Sequence, residues 1–405
     1  MPFTIALSGL NAASADLSVT ANNVANVNTN GFKMSRAQFS EVFAVGTQSV
    51  SSSAAGSGVR LSEIAQQFTQ GNIDFTDNAL DLAIGGEGFF VLSDNGSRMY
   101  SRAGAFGVDN EGFVVNSQGA RLQAYPYAGG GLFNTGTPND LQLSTGANPP
   151  SATTRSTLGI NLPADALPPT NPVFDSADPT SFNHTTSVTV YDSLGAAHTA
   201  TVYFMKDAVE NTWNTAVEID GTAVAGAGQI TFGSDGSLQA PVGGLMPLNA
   251  YDPGTGAADI SMSLDFGTAT QFGDNFGVNS LSQDGFTTGR LTGVSVDEEG
   301  VVFARYTNGQ SSSLGKLAMA NFANPQGLQQ LGDTAWGESF QSGDALLGEA
   351  GTASFGSIQS GALEASNVDL TAQLVQMITA QRNFQANAQM ISTADTVTQT
   401  VINIR

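Results

Sequence analysis

Residues 362–405 read ALEASNVDLTAQLVQMITAQRNFQANAQMISTADTVTQTVINIR, and this stretch determines how the rest of the chain is interpreted. It contains no Gly or Pro, and apolar or small side chains recur at steps of three and four, which predicts one long helix. Ser366, with Asp369 three residues later, resembles a capping box and places the helix start. Such a helix would be about 55 Å long. The stripe consists of Leu370, Leu374, Met377, Phe384, Ala388, Ile391 and Ile402.

The faces of this helix outside the stripe carry almost no charge. Gln, Asn, Thr, Ser and Ala fill them, and the charged residues are Asp369, Arg382, Asp395 and Arg405. A second apolar line consists of Val375, Ile378, Met390, Ala394, Val397 and Val401. This surface is wider than a two-stranded seam requires, so we expect the helix to pack on several neighbours. The alternative is an ordinary core helix of one large domain.

The N-terminus repeats the pattern. Residues 1–28 are predicted to form a helix, with Pro2 in its first turn and an Asn-Thr-Asn-Gly stop signal at 28–31. Its three-four repeat consists of Phe3, Ala6, Leu10, Ala13, Leu17, Thr20, Val24 and Val27. Asp16 is the only charged side chain before Lys33. Such a helix is marginal alone in water, so the two terminal helices either pair or stay loose until they meet other subunits.

Composition excludes several classes of protein. The chain has 405 residues, of which 12% are charged, and its net charge of −22 repels nucleic acid and anionic membranes. We therefore expect no nucleic-acid partner and no direct lipid binding. Cys is absent, which excludes disulfides, thiol catalysis and zinc–thiolate sites. No apolar run reaches membrane-spanning length, and the N-terminus lacks the basic region of a cleaved signal peptide.

The middle of the chain is predicted to be β-rich. Gly88–Leu92 and Arg98–Arg102 flank an Asn95-Gly96 turn, and alternating segments with similar turns return at 289–340. Because each half alone offers few strands, 71–145 and 285–340 are expected to build one discontinuous β domain.

Two further regions complete the predicted organisation. Residues 146–284 open with several prolines and read as a separate, outer antiparallel β domain, and 32–70 with 341–361 read as a linker that includes a Thr47–Gly58 loop. Residues 1–31 with 362–405 form a terminal helical assembly domain. The predicted class is multidomain α+β: long terminal helices in a coiled-coil-like inner domain, with discontinuous, mainly antiparallel β middle domains.

The sequence offers no catalytic constellation. His184 and His198 are the only histidines, and both flank hairpin strands without a third metal ligand. The Gly85–Gly88 run lacks the Lys-Ser/Thr ending of a phosphate loop, and acidic turns such as Asp235-Gly236 lack the spaced ligands of a calcium loop. We therefore predict no catalytic, cofactor-binding or metal-binding residues, and no enzyme.

Both chain ends carry extended motifs that resemble those of a known family. The N-terminal motifs are SGLNAA at 8–13, NNVAN at 22–26 and NGFK at 30–33, and the C-terminal ones are GALEASNVDL at 361–370 and MITAQRNF at 377–384. Together they resemble the signatures of bacterial flagellar rod and hook proteins. The large β-rich middle favours the hook branch of that family over the shorter plain rod proteins.

The resemblance implies a structural subunit that self-assembles into the flagellar hook, a flexible helical tube that acts as a universal joint and transmits torque from rod to filament. It implies as partners other copies of the chain, the rod, the hook cap, the hook–filament junction proteins, the hook-length control protein and the flagellar type III export apparatus. The implied location is the extracellular hook of the flagellum, reached without a cleaved signal peptide. The alternatives are a distal rod protein of the basal body or a secreted β-rich adhesin or enzyme.

The apolar stripes of the two terminal helices are the candidate assembly interface. Charge-poor helices with an apolar stripe are expected to bury that stripe against neighbouring subunits. The residues chosen are Leu10, Leu17, Val24, Val27, Leu370, Leu374, Met377, Phe384 and Ile391.

Overall fold

A computed structural model describes residues 2–42, 56–143, 146–352 and 354–403. Within those ranges the α-helices are α1 (Pro2–Ala25) and α2 (Leu370–Asn403), and short 3-10 turns occupy Val242–Gly244 and Pro325–Gly327. The first strands are β1 (Ser35–Glu41), β2 (Val59–Gln66), β3 (Ile73–Phe75), β4 (Leu82–Gly85), β5 (Phe89–Asp94), β6 (Ser97–Ser101), β7 (Gly107–Val108), β8 (Val114–Val115), β9 (Arg121–Gly129), β10 (Leu132–Phe133) and β11 (Asn139–Asp140).

The middle strands are β12 (Arg155–Pro163), β13 (His184–Tyr191), β14 (Ala197–Lys206), β15 (Thr212–Ile219), β16 (Thr222–Val224), β17 (Gln229–Phe232), β18 (Leu238–Ala240), β19 (Leu245–Pro247), β20 (Ser263–Asp265), β21 (Thr270–Phe272) and β22 (Gly277–Gln283). The last strands are β23 (Leu291–Val296), β24 (Val301–Tyr306), β25 (Ser311–Asn321), β26 (Gln329–Gly332), β27 (Ala335–Gly337), β28 (Leu346–Glu349), β29 (Ser357–Ser360) and β30 (Ala362–Glu364).

The predicted fold class is wrong. The chain is 16% helical and 42% strand, so it is a mainly β chain rather than an α+β protein organised on a helical coiled coil. The long three-four repeats at the two ends are conspicuous in sequence, whereas most of the strands are short and their pairings join distant segments. The sequence interpretation therefore gave the helices too much weight.

The structure separates into two compact units. Unit 1 comprises Met1–Thr145, Gly293–Arg305 and Ser311–Arg405, and unit 2 comprises Gly146–Thr292 and Tyr306–Gln310. The finer division into four domains stays a prediction.

Unit 1 is built on a 13-stranded sheet with the main order β23-β24-β25-β9-β5-β6-β27-β26. β25 pairs antiparallel with both β9 and β5, so strands from either side of residues 146–292 alternate in one sheet. Its two faces bury separate apolar clusters, one around Phe90 and Leu122 and the other around Phe89 and Trp336. The shorter pairs β4–β29 and β3–β30 bring the start of the β region to the segment that precedes α2.

Unit 2 packs a six-stranded sheet, in the main order β13-β14-β15-β17-β18, with a five-stranded sheet. The five-stranded sheet is mixed, because β12 runs parallel to β20 and β21 and antiparallel to β22. One apolar cluster fills the unit, with Trp213, Phe204 and Phe266 among its fully buried side chains. The alternation of buried and exposed residues along β14 is the period of a strand with one face in the core.

The predicted hairpin turns agree with the structure. Asn95 and Gly96 take positive φ of 49° and 90° between β5 and β6, the conformation that an Asn-Gly turn supplies. The hairpin of β13 and β14 pairs in unbroken register from His184–Phe204 to Tyr191–Ala197.

The helix boundaries differ from the sequence interpretation. α1 ends at Ala25, so Val27 lies in the following turn, and Gly31 takes the left-handed φ of +68° that stops the chain from continuing as helix. At the other end Asp369, rather than Ser366, caps α2: its Oδ1 accepts the Ala372 N–H at 3.1 Å. The 34 residues of α2 span about 51 Å.

An antiparallel hairpin that the sequence analysis did not predict follows α1. β1 and β2 pair from Ser35–Gln66 to Glu41–Val59, with a bulge after Gln38. Most of the predicted Thr47–Gly58 loop lies outside the described residues. Among the residues that the structure describes, neither helix is both long and apolar enough to cross a membrane.

Candidate assembly site

The two terminal helices lie antiparallel in unit 1. Three contacts establish the direction: a Cβ added at Gly9 would lie 2.5 Å from Asn387 Oδ1, Gln376 Nε2 donates to Asp16 Oδ1 at 3.1 Å, and Asn23 Nδ2 donates to Gln373 Oε1 at 3.0 Å. Residue numbers that increase along α1 therefore lie opposite residue numbers that decrease along α2. Gly9 allows the two backbones to approach, because a side chain there would displace the Asn387 amide.

The buried positions of these helices are small or polar. They are Ala6, Ala13, Val19, Thr20 and Asn23 on α1, and Gln373 and Ala380 on α2. A coiled-coil seam would instead bury large apolar side chains at the repeat positions. The three-four repeat is present, but the large residues in it are not the ones that the helix pair buries, which is why the coiled-coil prediction fails.

The nine predicted interface residues all lie on the helix pair or in the turn after α1. Leu10, Leu17, Val24, Val27, Met377 and Ile391 are half-buried, and Leu370, Leu374 and Phe384 are exposed. None is fully buried within its own chain. Their role in assembly stays a prediction.

α2 leaves apolar side chains exposed around most of its circumference. The exposed large residues are Leu370, Leu374, Val375, Ile378, Phe384, Met390, Val397 and Ile402. At 100° per residue they are distributed over every direction except the one that faces α1. A helix that exposes large apolar side chains in so many directions is typical of one surrounded by protein, and here a single neighbouring helix covers only one side.

A buried ionic junction lies where the helices meet the β region. Glu364 accepts from Lys33 Nζ at 2.6 Å and from Arg102 Nη1 at 3.3 Å, and the side chains of these three residues are 0%, 0% and 5% exposed. Glu364 Oε1 also accepts the Gly71 N–H at 2.9 Å. Arg102 Nη2 donates to the Gly86 carbonyl at 2.8 Å. One carboxylate therefore ties four distant parts of unit 1 together.

Burial at this junction would destabilise the charged forms of Lys33 and Arg102 if Glu364 were absent. Burial lowers the pKa of Lys33, and the charge and hydrogen bond of Glu364 oppose that decrease. Burial likewise lowers the pKa of Arg102, again against the influence of Glu364. Removing the carboxylate would leave two desolvated cations facing each other.

Two asparagines extend the junction to the helices themselves. Asn23, near the end of α1, accepts the Ser35 N–H at 2.9 Å and donates to the Ser35 carbonyl at 2.8 Å, which holds the first residue of β1. Asn367, just before α2, accepts the Met34 N–H and donates to the Gln67 carbonyl, both at 2.8 Å. The helix pair therefore has a fixed base on the β region.

Sequence reasoning missed this junction. The available signal was that Lys33 and Glu364 are isolated charges within the charge-poor terminal motifs. A charge kept in such surroundings often has a buried partner, but nothing in the sequence identifies a partner 331 residues away.

Comparison with known proteins covers the chain almost from end to end. Residues 3–33 match the family described as flagella basal body rod protein, and residues 83–170 match the D1 domain of flagellar hook protein FlgE/F/G. Residues 161–286 match the flagellar basal body protein FlaE D2 domain, and 359–404 match the flagellar basal body rod FlgEFG protein C-terminal family.

Full-length relatives agree with these matches. The chain is 41% identical to the flagellar hook protein FlgE of Escherichia coli and 40% identical to that of Salmonella typhimurium, covering 100% of both chains in each case. It is 32% identical to the flagellar hook protein FlgE of Borreliella burgdorferi, with 98% of each chain covered.

A solved structure shares the fold. The crystal structure of a Helicobacter pylori flagellar hook protein superposes with a TM-score of 0.52 at 14% identity, and covers 72% of this chain and 100% of that one. End-to-end relatives above 30% identity establish the family that the terminal motifs indicate. The chain belongs to the flagellar hook protein family.

Proposed function

We propose that this chain is the structural subunit that self-assembles into the flagellar hook, a flexible helical tube that transmits torque from rod to filament. Relatives named as flagellar hook proteins over the whole chain support this role. The contact through which copies assemble is proposed to be the helix pair, within a terminal assembly domain of 1–31 with 362–405.

The observation that carries the assembly proposal is the exposed apolar surface of α2. Val375, Ile378 and Val397 are 60%, 51% and 58% exposed, although each is an aliphatic side chain on a 34-residue helix. Leaving so many apolar residues in water is costly, at about 25 cal/mol per Å² of apolar surface. The proposed occupant of this surface is the helix pair of further copies.

Charge supports a second copy as that occupant. Between Leu370 and Asn403 the only charged residues are Arg382 and Asp395, so copies can approach each other without strong repulsion. The chain as a whole carries −22, most of it outside the helices. Head-to-tail contacts that do not close into a ring generate a helical polymer.

The partners beyond the chain itself are also proposals. Membership of the family supports contacts with the rod, the hook cap, the hook–filament junction proteins, the hook-length control protein and the type III export apparatus. It also supports an extracellular location in the hook, reached without a cleaved signal peptide. The proposed role is structural and requires no catalytic residue, cofactor or metal.

The first test places a charge on α2. Phe384 is 36% exposed, so Phe384→Asp should leave the single chain folded, whereas each contact between copies would then bury an unpaired carboxylate at a cost of several kcal/mol. Full-length chains are concentrated and examined by sedimentation and electron microscopy. We expect tubes from the unsubstituted chain and monomers from the variant.

The control is Leu132→Asp, which also replaces an apolar side chain by a carboxylate, here at a 70% exposed residue of β10. This control should still form tubes. Normal tubes from Phe384→Asp would contradict the assignment of assembly to α2, and failure of the unsubstituted chain to form any polymer would contradict the proposed function itself.

A further inference from the structure

His198 occupies an unusual position in unit 2, away from the helix pair. It lies near the start of β14 with a side chain only 8% exposed, and each of its ring nitrogens faces a different carboxylate. Nδ1 is 2.6 Å from Asp220 Oδ2, and Nε2 is 3.4 Å from Asp192 Oδ2. The ring therefore bridges two acidic residues that belong to different turns.

Asp192 organises the turn between β13 and β14. Its Oδ1 accepts the N–H groups of Leu194 and Ala196 at 2.9 and 2.8 Å, and its side chain is fully buried. The second oxygen faces His198 and accepts from Thr255 Oγ1 at 3.3 Å. A buried carboxylate with four partners holds this turn in one conformation.

Asp220 is the first residue of the turn between β15 and β16. It takes a positive φ of 50°, and its Oδ1 accepts the Thr199 N–H at 2.9 Å. Its other oxygen bonds His198. The imidazole thus links this turn to the one that Asp192 holds.

A third segment, 251–258, closes the cluster. Besides the Thr255 hydroxyl, the Ala258 N–H donates to Ser193 Oγ at 2.9 Å, and the Tyr251 ring meets the His198 ring edge-on at 6.4 Å. The titratable groups that face His198 are Asp192 and Asp220 from the two turns and the Tyr251 phenol from this segment.

The turn at 192–196 also supports the two segments that connect unit 2 to the rest of the chain. A Cβ at Gly195 would lie 2.8 Å from Pro150 Cβ and 3.3 Å from Thr287 Cα. These segments pair with each other at Asn148–Gly289 and Ser151–Phe286.

The doubly protonated ring suits both contacts, the short one to Asp220 and the long one of 3.4 Å to Asp192. The imidazolium donates from both nitrogens, whereas the neutral ring donates from one and presents a lone pair to a carboxylate at the other. We propose that His198 is a proton-controlled clamp that fastens the turns at 192–196 and 220–221 and the 251–258 segment when doubly protonated, and releases them when it becomes neutral.

The direction of the switch follows from the environment. Burial alone would lower the pKa of His198, but the hydrogen bonds and charges of Asp220 and Asp192 outweigh it and raise that pKa. A histidine whose pKa is higher in the folded state stabilises that state fully at pH values below its ordinary pKa, near 6.5. This stabilisation is lost as the pH rises through the folded-state pKa. The pKa of Asp192 is lowered, because hydrogen bonds outweigh its burial, so the clamp persists down to acidic pH.

The test is hydrogen exchange of the full-length chain between pH 5.5 and pH 9, with labelling times corrected for the intrinsic pH dependence. The probes are the Leu194, Ala196 and Thr199 amides, which donate to the clamp carboxylates. We expect protection at these amides to fall as pH rises through the raised pKa of His198.

His184 supplies the matched control. It is the other histidine of the chain, and it stacks on Phe276 at 4.5 Å without a carboxylate partner among its described contacts. Burial lowers its pKa. His184→Gln should keep the pH dependence at the three amides, whereas His198→Gln and Asp220→Asn should each remove it and leave low protection at every pH.

Two results would overturn the clamp. One is wild-type protection that does not change across the pH range, and the other is an unchanged pH dependence in Asp220→Asn. If His198→Gln does not fold, the wild-type series and Asp220→Asn still decide the question. Neither result depends on polymer formation, so failure of the clamp and failure of the assembly proposal are distinguishable.

Discussion

Glu364 is the residue on which the base of the helix pair depends. Its carboxylate is fully buried, pairs with Lys33 and Arg102, and accepts the Gly71 N–H. A single buried acid with three donors from three distant segments is stabilising only while every partner is present. Removing one member of such a buried group costs far more stability than removing one member of a solvent-exposed ion pair.

We predict that Glu364→Gln lowers the free energy of unfolding of unit 1 by about 3 kcal/mol or more, because two desolvated cations lose their counter-charge. Urea unfolding measures this loss. The control is Glu111→Gln, which removes one partner of Arg121 at a side chain that is 61% exposed and should cost about 1 kcal/mol or less. Equal losses in the two variants would contradict the importance given to burial.

Residue-scale prediction from sequence succeeded where the signal was local. Asn95-Gly96 identified its turn because left-handed backbone is encoded in those two residues themselves. The charged partner of Lys33, in contrast, comes from the other end of the chain. No spacing rule along the sequence connects them, so the junction became visible only in the structure.

The terminal helices show what a repeat does and does not encode. The absence of Gly and Pro with a three-four pattern correctly predicted α2, and an Asn-rich stretch ending in Gly31 correctly predicted a stop after α1. The pattern does not say which side the partner helix covers. The small repeat residue Ala13 is buried, whereas the large repeat residues Leu10 and Leu17 are only half-buried, so the coiled-coil interpretation was wrong.

The start of α2 gives a prediction at this scale. Asp369 Oδ1 accepts the Ala372 N–H at 3.1 Å, so Asp369→Ala should cost about 1 kcal/mol and weaken the first turn of the helix. Ser366→Ala is the control, because Ser366 Oγ accepts only a long 3.4 Å bond from the Val368 N–H. Thermal unfolding followed by circular dichroism compares them. A larger loss in the Ser366 variant would restore the predicted capping box.

At the scale of the whole molecule, the sequence established a family and a function class more securely than a fold class. The paired terminal motifs identified the family because they are long and ordered. The class was wrong because the β content is distributed over many short strands, and pairings such as β25 with β5 and β9 join segments about 200 residues apart. The net charge argued against nucleic-acid and lipid binding, and the lack of Cys excluded disulfides and thiol chemistry. Neither observation says which strands pair with each other.

At this scale we propose that the exposed surface of α2 becomes buried against neighbouring subunits when copies of the chain assemble. Inside one chain it is covered on one side, and its remaining directions expose apolar side chains such as Val375, Ile378 and Met390. A helical polymer supplies neighbours in several directions at once, which suits a helix that exposes large apolar side chains in several directions.

Electron cryomicroscopy of the assembled tube, at a resolution that shows side chains, tests this claim most directly. We predict that Val375, Ile378, Phe384 and Met390 are buried against the helices of adjacent copies. A tube in which these side chains face solvent, held together only by contacts between β regions, would contradict the account.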